Sequence, residues 1–497
     1  MEELQFIKLC EACDKLLLEQ GVQLERVALP WLHVIREHPV FLKEYKGIVE
    51  DKIISKDIVS FSAGVFFKSL FNLRKILVKN TNYWAASHKK KQTTDVLFVS
   101  HLVRDSHAGK NADFYFSNLA DKLNDEGYKS AFALINHTEV SGQVLAEKWK
   151  SSKVPRYILS DVIGFIDELR FQLNSNIESI KLKRIAAASK DALLTRIAYK
   201  AAYELRQGRS IQNLRIGKQI LMLVKELNPR LIVATYEGHA WERVVFSQAR
   251  NAKPSIRCVG YQHAAIFRLQ HAIRRNLEQK FNPDCILTAG EISFQQLKES
   301  NLLGVSLSIL GSDRGVKNNV LEETKKPSRA CLVIPEGFMS ECILLFSFAL
   351  ACAKEMPQVK FIWRLHPLIS FEAISKEMDL DKLPSNIVVS TFSIEKDIDK
   401  CTWVLYRGST AIIQAINSGL VPLYHDDGSI IIDPIYKVNS LHLHVRSVRD
   451  FLMIVSNPNE DYLKSEIQLI QNYSKDFFTP LNCRILIEQI SSSRSTD

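Results

Sequence analysis

The chain lacks every short signature that would announce a common chemistry. It holds no Walker A loop, GxGxxG fingerprint, HExxH, GxSxG elbow or kinase set. No window approaches the roughly 18 apolar residues that span a bilayer. The most apolar run, 342–353, is shorter and reads as a buried helix. The start, MEELQFIKLCEACDK, has no basic stretch leading into an apolar one, so no secretory leader is expected. Basic residues are not interleaved with aromatics in an RNA-module pattern, so no nucleic-acid partner is expected. There is no internal repeat and no low-complexity tract, which sets aside solenoids. Cys10 and Cys13 have CxxC spacing, but no second Cys pair or close His pair completes a zinc set. Phe6, Leu9, Leu16 and Leu17 place both on a helix. Cys331, Cys342, Cys352 and Cys401 lie in apolar runs and read as small core residues. Free cysteines of this kind fit a reducing cytoplasm, and no metal or other cofactor is expected.

What is present is a long globular chain. Its 497 residues call for more than one domain, and 46% hydrophobic with 24% charged residues is the balance of a soluble protein. The net charge of +10 fits an acidic substrate, an anionic membrane face or nucleic acid, and does not choose among them. Residues 1–90 read as a helical N-terminal region broken at Pro30. Within it, Phe61, Val65, Phe66, Leu70, Leu73 and Leu77 recur at helical spacing over 58–78, among Lys68, Arg74 and Lys75. The preferred reading is a helix packed on its own protein with a solvated basic face. The other is a peripheral contact with an anionic inner membrane. The lysine run 89–91 marks a linker.

Residues 91–311 read as a first α/β unit. Strands are expected at 95–100, 130–134, 157–159, 230–235, 256–261 and 284–288, with a helix at 113–126. Residues 162–226 contain no proline and much Ala, Leu, Lys and Arg, and read as a helical insertion of two or three helices. The polar segment 312–329 is a linker. A second α/β unit fills 330–497, with strands at 330–334, 359–363, 387–390, 402–406 and 420–424, and closing helices after 451. The fold class is therefore α/β, a pair of Rossmann-like domains with parallel sheets.

In such sheets ligands bind beyond the carboxyl ends of the strands. One such end runs from strand 402–406 through Arg407 and Gly408 to a helix at 409–418 opened by Ser409 and Thr410. Gly408 permits close approach, and a helix start with hydroxyl residues suits a phosphate. Strand 359–363 leads into Arg364-Leu365-His366-Pro367. In the first unit the strand ends carry Glu237, His239 and His263, and a loop at 101–110 carries Asp105. Asp426-Asp427 is not a metal-type DxD and reads as a solvated loop.

Two α/β domains with a polar seam resemble the GT-B glycosyltransferases, most strongly over 230–265 and 331–427. His366-Pro367 followed by Gly408-Ser409-Thr410 resembles the HP and Ser/Thr motifs of bacterial enzymes that use CMP-activated sugars, such as capsule Kdo transferases and polysialyltransferases. Teichoic-acid polymerases using CDP-glycerol share the style. The segments around Tyr236-Glu237 and 333–341 look like those of surface-carbohydrate (capsule and O-antigen) biosynthesis proteins. Residues 1–90 and the insertion lie outside the resemblance, and the acidic pair of polysialyltransferases is absent in its usual form. The resemblance implies a metal-independent transfer from a nucleotide-sugar donor to a glycan or lipid-linked acceptor. His366, Arg364, Gly408, Ser409, Thr410, Glu336 and Ser340 would bind the donor, Glu237 would be the catalytic carboxylate with Asp105 as its rival, and His239 and His263 would adjust it or bind acceptor. Each has a plainer reading. Ser409, Thr410 and Ser340 would cap helices, Arg364 would be a surface charge, and Glu237 would pair with Arg243 or Lys253. Polyol-phosphate transfer, sugar-nucleotide epimerisation and a non-catalytic scaffold of a polysaccharide assembly complex are the alternatives.

Overall fold

The computed structural model describes residues 1–18, 21, 23–50, 83–85, 93–300, 302–313, 329–366, 369–378, 380, 382–438, 443–456 and 461–492. The amphipathic stretch 58–78, the lysine run 89–91, Pro367 and most of the linker 312–329 lie outside them. Among the described residues, no helix is long and apolar enough to cross a membrane.

Two sheets organise the molecule. The first contains β1 (Tyr83–Trp84), β2 (Val96–Leu102), β3 (Ser130–Asn136), β4 (Arg156–Leu159), β5 (Leu231–Thr235), β6 (Arg257–Gln262), β7 (Cys285–Thr288) and β8 (Ser306–Ile309). Their order is β1-β4-β3-β2-β5-β6-β7-β8, parallel except for β1 at the edge. The second contains β9 (Ala330–Ile334), β10 (Lys360–Trp363), β11 (Ile387–Val389), β12 (Trp403–Tyr406), β13 (Val421–His425) and β14 (His444–Val445), all parallel, in the order β11-β10-β9-β12-β13-β14. Counted from β2, the first sheet runs third, second, first, fourth, fifth, sixth, seventh, and the second sheet third, second, first, fourth, fifth, sixth: the doubly wound order, with a switch point between β2 and β5 and another between β9 and β12. Strands such as LIVAT and ACLVI are buried along their whole length, as sheets covered on both faces require. Two Rossmann-like domains with parallel sheets, a helical N-terminal region and a helical insertion make up the GT-B architecture expected from sequence.

The expected helix at 113–126 is shorter. The Asp113 carboxylate accepts hydrogen bonds from Ser100 Oγ and from the backbone N–H groups of Tyr115 and Phe116, each at 2.9 Å. That side chain competes with helical bonding, so the helix begins only at Leu119. β8 escaped notice because SLSI is an edge strand without an apolar run.

The N-terminal region and the insertion share one core. Leu9, Leu16, Leu17, Leu29 and Leu32 pack with Leu182, Ile197, Ala198, Ala201 and Ala202 from the helices Phe165–Ala188 and Ala192–Arg206. A third insertion helix is Ile211–Leu227. The alanines allow close approach, and Ser179 Oγ donates to the Ala202 carbonyl at 2.7 Å. Inside this core Arg26 and Glu178 form a buried ion pair at 2.5 Å. Cys10 and Cys13 are buried in it too, and burial pushes both thiols up.

The chain's last helix, Arg484–Ser492, does not stay with the second unit as the sequence suggested. Leu486 and Ile490 enter the first domain's core beside Val96, Phe98 and Val233. The crossing strand of chain is tight. Thr479 N–H bonds to the Ala289 carbonyl and Asn482 N–H to the Leu310 carbonyl. A Cβ on Gly290 would lie 2.3 Å from the Phe477 carbonyl oxygen, and one on Gly311 2.3 Å from that of Pro480. Only glycine fits at either crossing.

Candidate active site

The second switch point is built from the ends of β9, β10 and β12. β9 runs into Pro335-Glu336-Gly337, β10 into Arg364-Leu365-His366, and β12 into Arg407-Gly408-Ser409-Thr410. These loops touch. A Cβ on Gly337 would fall 2.6 Å from the His366 ring, and one on Gly408 2.7 Å from Glu336 Cδ. Gly408 also has φ +72°, a conformation that favours glycine. Both glycines therefore leave room where His366 and Glu336 converge. His366 is half-buried. Burial lowers its basicity, nearby Glu336 works the other way, and Arg104 from the first domain lowers it further, so the imidazole is neutral near pH 7.

Several donor-side expectations are sharpened. The helix after Gly408 is Ala411–Asn417, shorter than the 409–418 read from sequence. Thr410 stands at its N-cap yet makes no side-chain capping bond. Ser340 lies inside the helix Met339–Glu355, whose N-cap is Phe338, so it is exposed and is not the cap. Arg364 is not a plain surface charge: its guanidinium binds the buried Asp397 at 2.9 Å and the Phe392 carbonyl at 2.8 Å. Arg407 is buried and braced by Glu341 at 2.9 Å, Asp427 at 2.6 Å and Ser429 Oγ at 2.7 Å. Of the expected solvated loop Asp426-Asp427, only Asp427 is exposed, and it pairs with Arg407. Asp426 is 4% exposed and paired with Arg446 at 2.8 Å, because the loop's carboxylates neutralise the cations around β13 and β14.

At the first switch point, β5 ends in Tyr236-Glu237-Gly238-His239. Glu237 Oε2 lies 3.5 Å from His239 Nε2, so the pairing with Arg243 or Lys253 is not made. Arg243 is buried against the Ala272 and Arg275 carbonyls and Asn282, and Lys253 reaches the Pro229 carbonyl. Glu242, in the first turn of the helix Ala240–Ala252, holds the turn. Its carboxylate accepts the N–H groups of Glu237, Gly238 and His239 at 3.1, 2.7 and 2.7 Å. Burial pushes Glu242 up to about 7, with those N–H groups and His239 opposing. Burial would also raise Glu237, but the His239 hydrogen bond and charge, with His263 and Arg36, hold it at about 2. Burial would lower His239, and its bond to Glu237 with the charges of Glu242 and Glu237 raises it above the ordinary imidazole value.

Two histidines not singled out from sequence complete this end. His101 closes β2 and His137 follows β3, and their rings share a hydrogen bond, Nδ1 to Nε2, at 2.8 Å. Burial and the neighbouring imidazoles hold His101 down at about 3. Trp241 meets His101 edge-on at 4.9 Å, and Tyr115 meets His263 at 4.6 Å. The rule that ligands gather at strand ends would have found both, since each sits at the end of an inner strand. Asp105 is exposed on the turn Asp105–His107, apart from this ring cluster.

A third contributor was missed. The segment between the turn Pro30–His33 and the helix Pro39–Val49 crosses from one domain to the other. Glu37 accepts the Leu269 N–H at 2.9 Å in the first domain. His38 Nε2 lies 2.5 Å from Glu336 Oε2 and 3.8 Å from Glu341 Oε1 in the second. Arg36 Nη2 is 3.3 and 3.4 Å from the two Glu336 oxygens. Nothing in the run REHP is periodic, and its partners lie some 300 positions away. Among the described residues, no group of three His, Cys, Asp or Glu is arranged to hold a metal ion.

No family model matches the chain, and no curated protein sequence matches it. Among solved structures, MurG of Acinetobacter baumannii superposes with a TM-score of 0.47 at 10% identity, over 80% of this chain and 99% of that one. A glycotransferase of kitacinnamycin gives 0.47 at 10% identity, over 80% and 100%. A UDP-GlcNAc 2-epimerase from Neisseria meningitidis, bound to UDP-GlcNAc, gives 0.43 at 11% identity, over 80% and 100%. Likenesses this distant carry no argument about substrate or reaction.

Proposed function

We propose that this chain is a GT-B enzyme acting on a nucleotide sugar, and that it transfers the sugar from a CMP-type donor to a glycan or lipid-linked acceptor of a surface polysaccharide. The observation that carries the reading is the reach of Arg36. Its guanidinium touches Glu336 at the second switch point, and its charge acts on Glu237 and His239 at the first. On this reading the two strand-end clusters border one cleft, as transfer between two bound partners needs. The CMP preference rests on the resemblance carried by His366 and Gly408-Ser409-Thr410.

In this reading the donor phosphate lies beside the Gly337 and Gly408 turns, against the His366 ring that packs on Gly337. Neutral His366 donates a hydrogen bond to it, and the Ser409 and Thr410 hydroxyls add two more. The acceptor hydroxyl must lose a proton. A carboxyl held at about 2 is a weak base near pH 7, so the role first given to Glu237 passes to its partner. The neutral form of His239 takes the proton, and Glu237, 3.5 Å from its Nε2, stabilises the imidazolium that forms. His263, His101 and Trp241 line the acceptor side. Contact of residues 58–78 with the inner face of the membrane would bring a lipid-linked acceptor within reach.

The imidazole-rich first switch point also suits proton exchange at a sugar carbon, which keeps an epimerase as the second reading. Solvent deuterium entering the sugar without any acceptor would favour it. Calorimetric titration with CMP, CDP, UDP and GDP tests the main reading, and a CDP preference would point to a polyol-phosphate donor. His366→Ala should weaken nucleotide binding about tenfold, the loss of one hydrogen bond to a charged group, without a change in melting temperature. If no nucleotide binds at millimolar concentration, the enzyme readings fail and the scaffold remains.

A further inference from the structure

We propose that Arg36, carried by the N-terminal segment outside both Rossmann-like domains, is the cation that binds the donor phosphate. The inference rests on the nucleotide-binding reading above and assigns to that site a residue from a part of the chain the GT-B resemblance does not cover.

The second domain places its own nearby arginines elsewhere. Arg364 is turned to Asp397 and the Phe392 carbonyl, and Arg407 is enclosed by Glu341, Asp427 and Ser429. A phosphate beside the Gly337 and Gly408 turns would find hydroxyls, a neutral imidazole and the Glu336 carboxylate there, but no guanidinium directed at it from Arg364 or Arg407. Positive charge reaches the spot from outside the domain, from Arg36 and from Arg104 in the loop after β2.

Arg36 is the better placed of the two. Its guanidinium touches Glu336, whose side chain packs where a Gly408 Cβ would be. It also lies 4.7 Å over the Phe267 ring and 5.6 Å from Phe41, so its plane is oriented before any ligand arrives. The two residues after it are anchored, Glu37 by the Leu269 N–H and His38 against Glu336. Val34, at φ +43°, sets the turn that delivers it.

The contact with Glu336 is a resting one. At 3.3 and 3.4 Å it is long for a charge-assisted pair, whereas His38 holds the same carboxylate at 2.5 Å. When a phosphate arrives, Arg36 can turn to it and Glu336 keeps His38 as its partner. The Arg36 side chain is 17% exposed, so the cleft gives a ligand access to it.

The test compares nucleotide with nucleoside by calorimetry, using CMP against cytidine and UMP against uridine, on the full chain and on Arg36→Ala, Arg36→Gln and Arg36→Lys. In the wild type the phosphate should strengthen binding. Arg36→Ala and Arg36→Gln should weaken CMP by about tenfold to a hundredfold and leave cytidine within about twofold, with Arg36→Lys between. An unchanged CMP-to-cytidine ratio in the variants, with CMP still bound by the wild type, overturns the assignment and leaves the site standing. Wild-type protein that binds no nucleotide overturns the reading beneath it instead. Should Arg36→Ala fail to fold, as a lost melting transition would show, Arg36→Gln and Arg36→Lys decide by the same ratio.

Discussion

Replacing Glu237 by Gln isolates the pair at the first switch point. In the folded chain the carboxyl drops from the ordinary 4.5 to about 2, a difference equivalent to about 3 kcal/mol. Solvent screens part of it, since the Glu237 side chain is 27% and the His239 side chain 40% exposed, so about 1–2 kcal/mol is the expected loss of stability in Glu237→Gln. The signs are opposite for the two partners. Glu237 is depressed, so its contribution is present above pH 4.5 and fades as pH falls toward 2. His239 is raised, so its contribution is full below 6.5 and fades as pH rises through its folded value. The difference between wild type and Glu237→Gln should therefore be largest between pH 4.5 and 6.5 and shrink on both sides. Urea unfolding of wild type, Glu237→Gln, His239→Gln and the double variant from pH 4 to 9 measures it, and the cycle yields the coupling. A difference flat across that range would refute the ion pair. If turnover is measurable, its rise with pH should start at lower pH in Glu237→Gln, because His239 loses the partner that raises it.

Two further outcomes probe the geometry. Gly337→Ala would put a methyl 2.6 Å from the His366 ring; displacing that imidazole should weaken nucleotide binding about tenfold, and an unmoved His366 ring resonance in NMR spectra would contradict the contact. Leu486→Ala empties a fully buried position and should cost about 2–5 kcal/mol, with faster amide exchange in β2 and β5; exchange changes confined to the second domain would show that the last helix does not support the first.

Much of the frame was readable without coordinates. Runs such as DVLFVS, RLIVAT and RACLVI read as buried parallel strands, and their alternation with helices predicts two doubly wound sheets. The strand-end rule then directed attention to Glu237, His239, His366 and Gly408. It did not reach their partners. Whether Glu237 met Arg243, Lys253 or His239 was open in the sequence, and the turn held by Glu242 decided it. Arg407 read as part of an anion cradle, whereas burial between Glu341 and Asp427 makes it a brace.

The sequence by itself determined most of the elements, because periodicity, turn residues and strand-end chemistry act over a few residues. Only the tertiary structure decided which distant segments meet. Arg36 and His38 meet Glu336 across some 300 positions, and Leu486 and Ile490 return to a core begun at Val96. Contacts of that kind depend on how whole layers pack and on which buried charges must find a partner. No local pattern of residues records either.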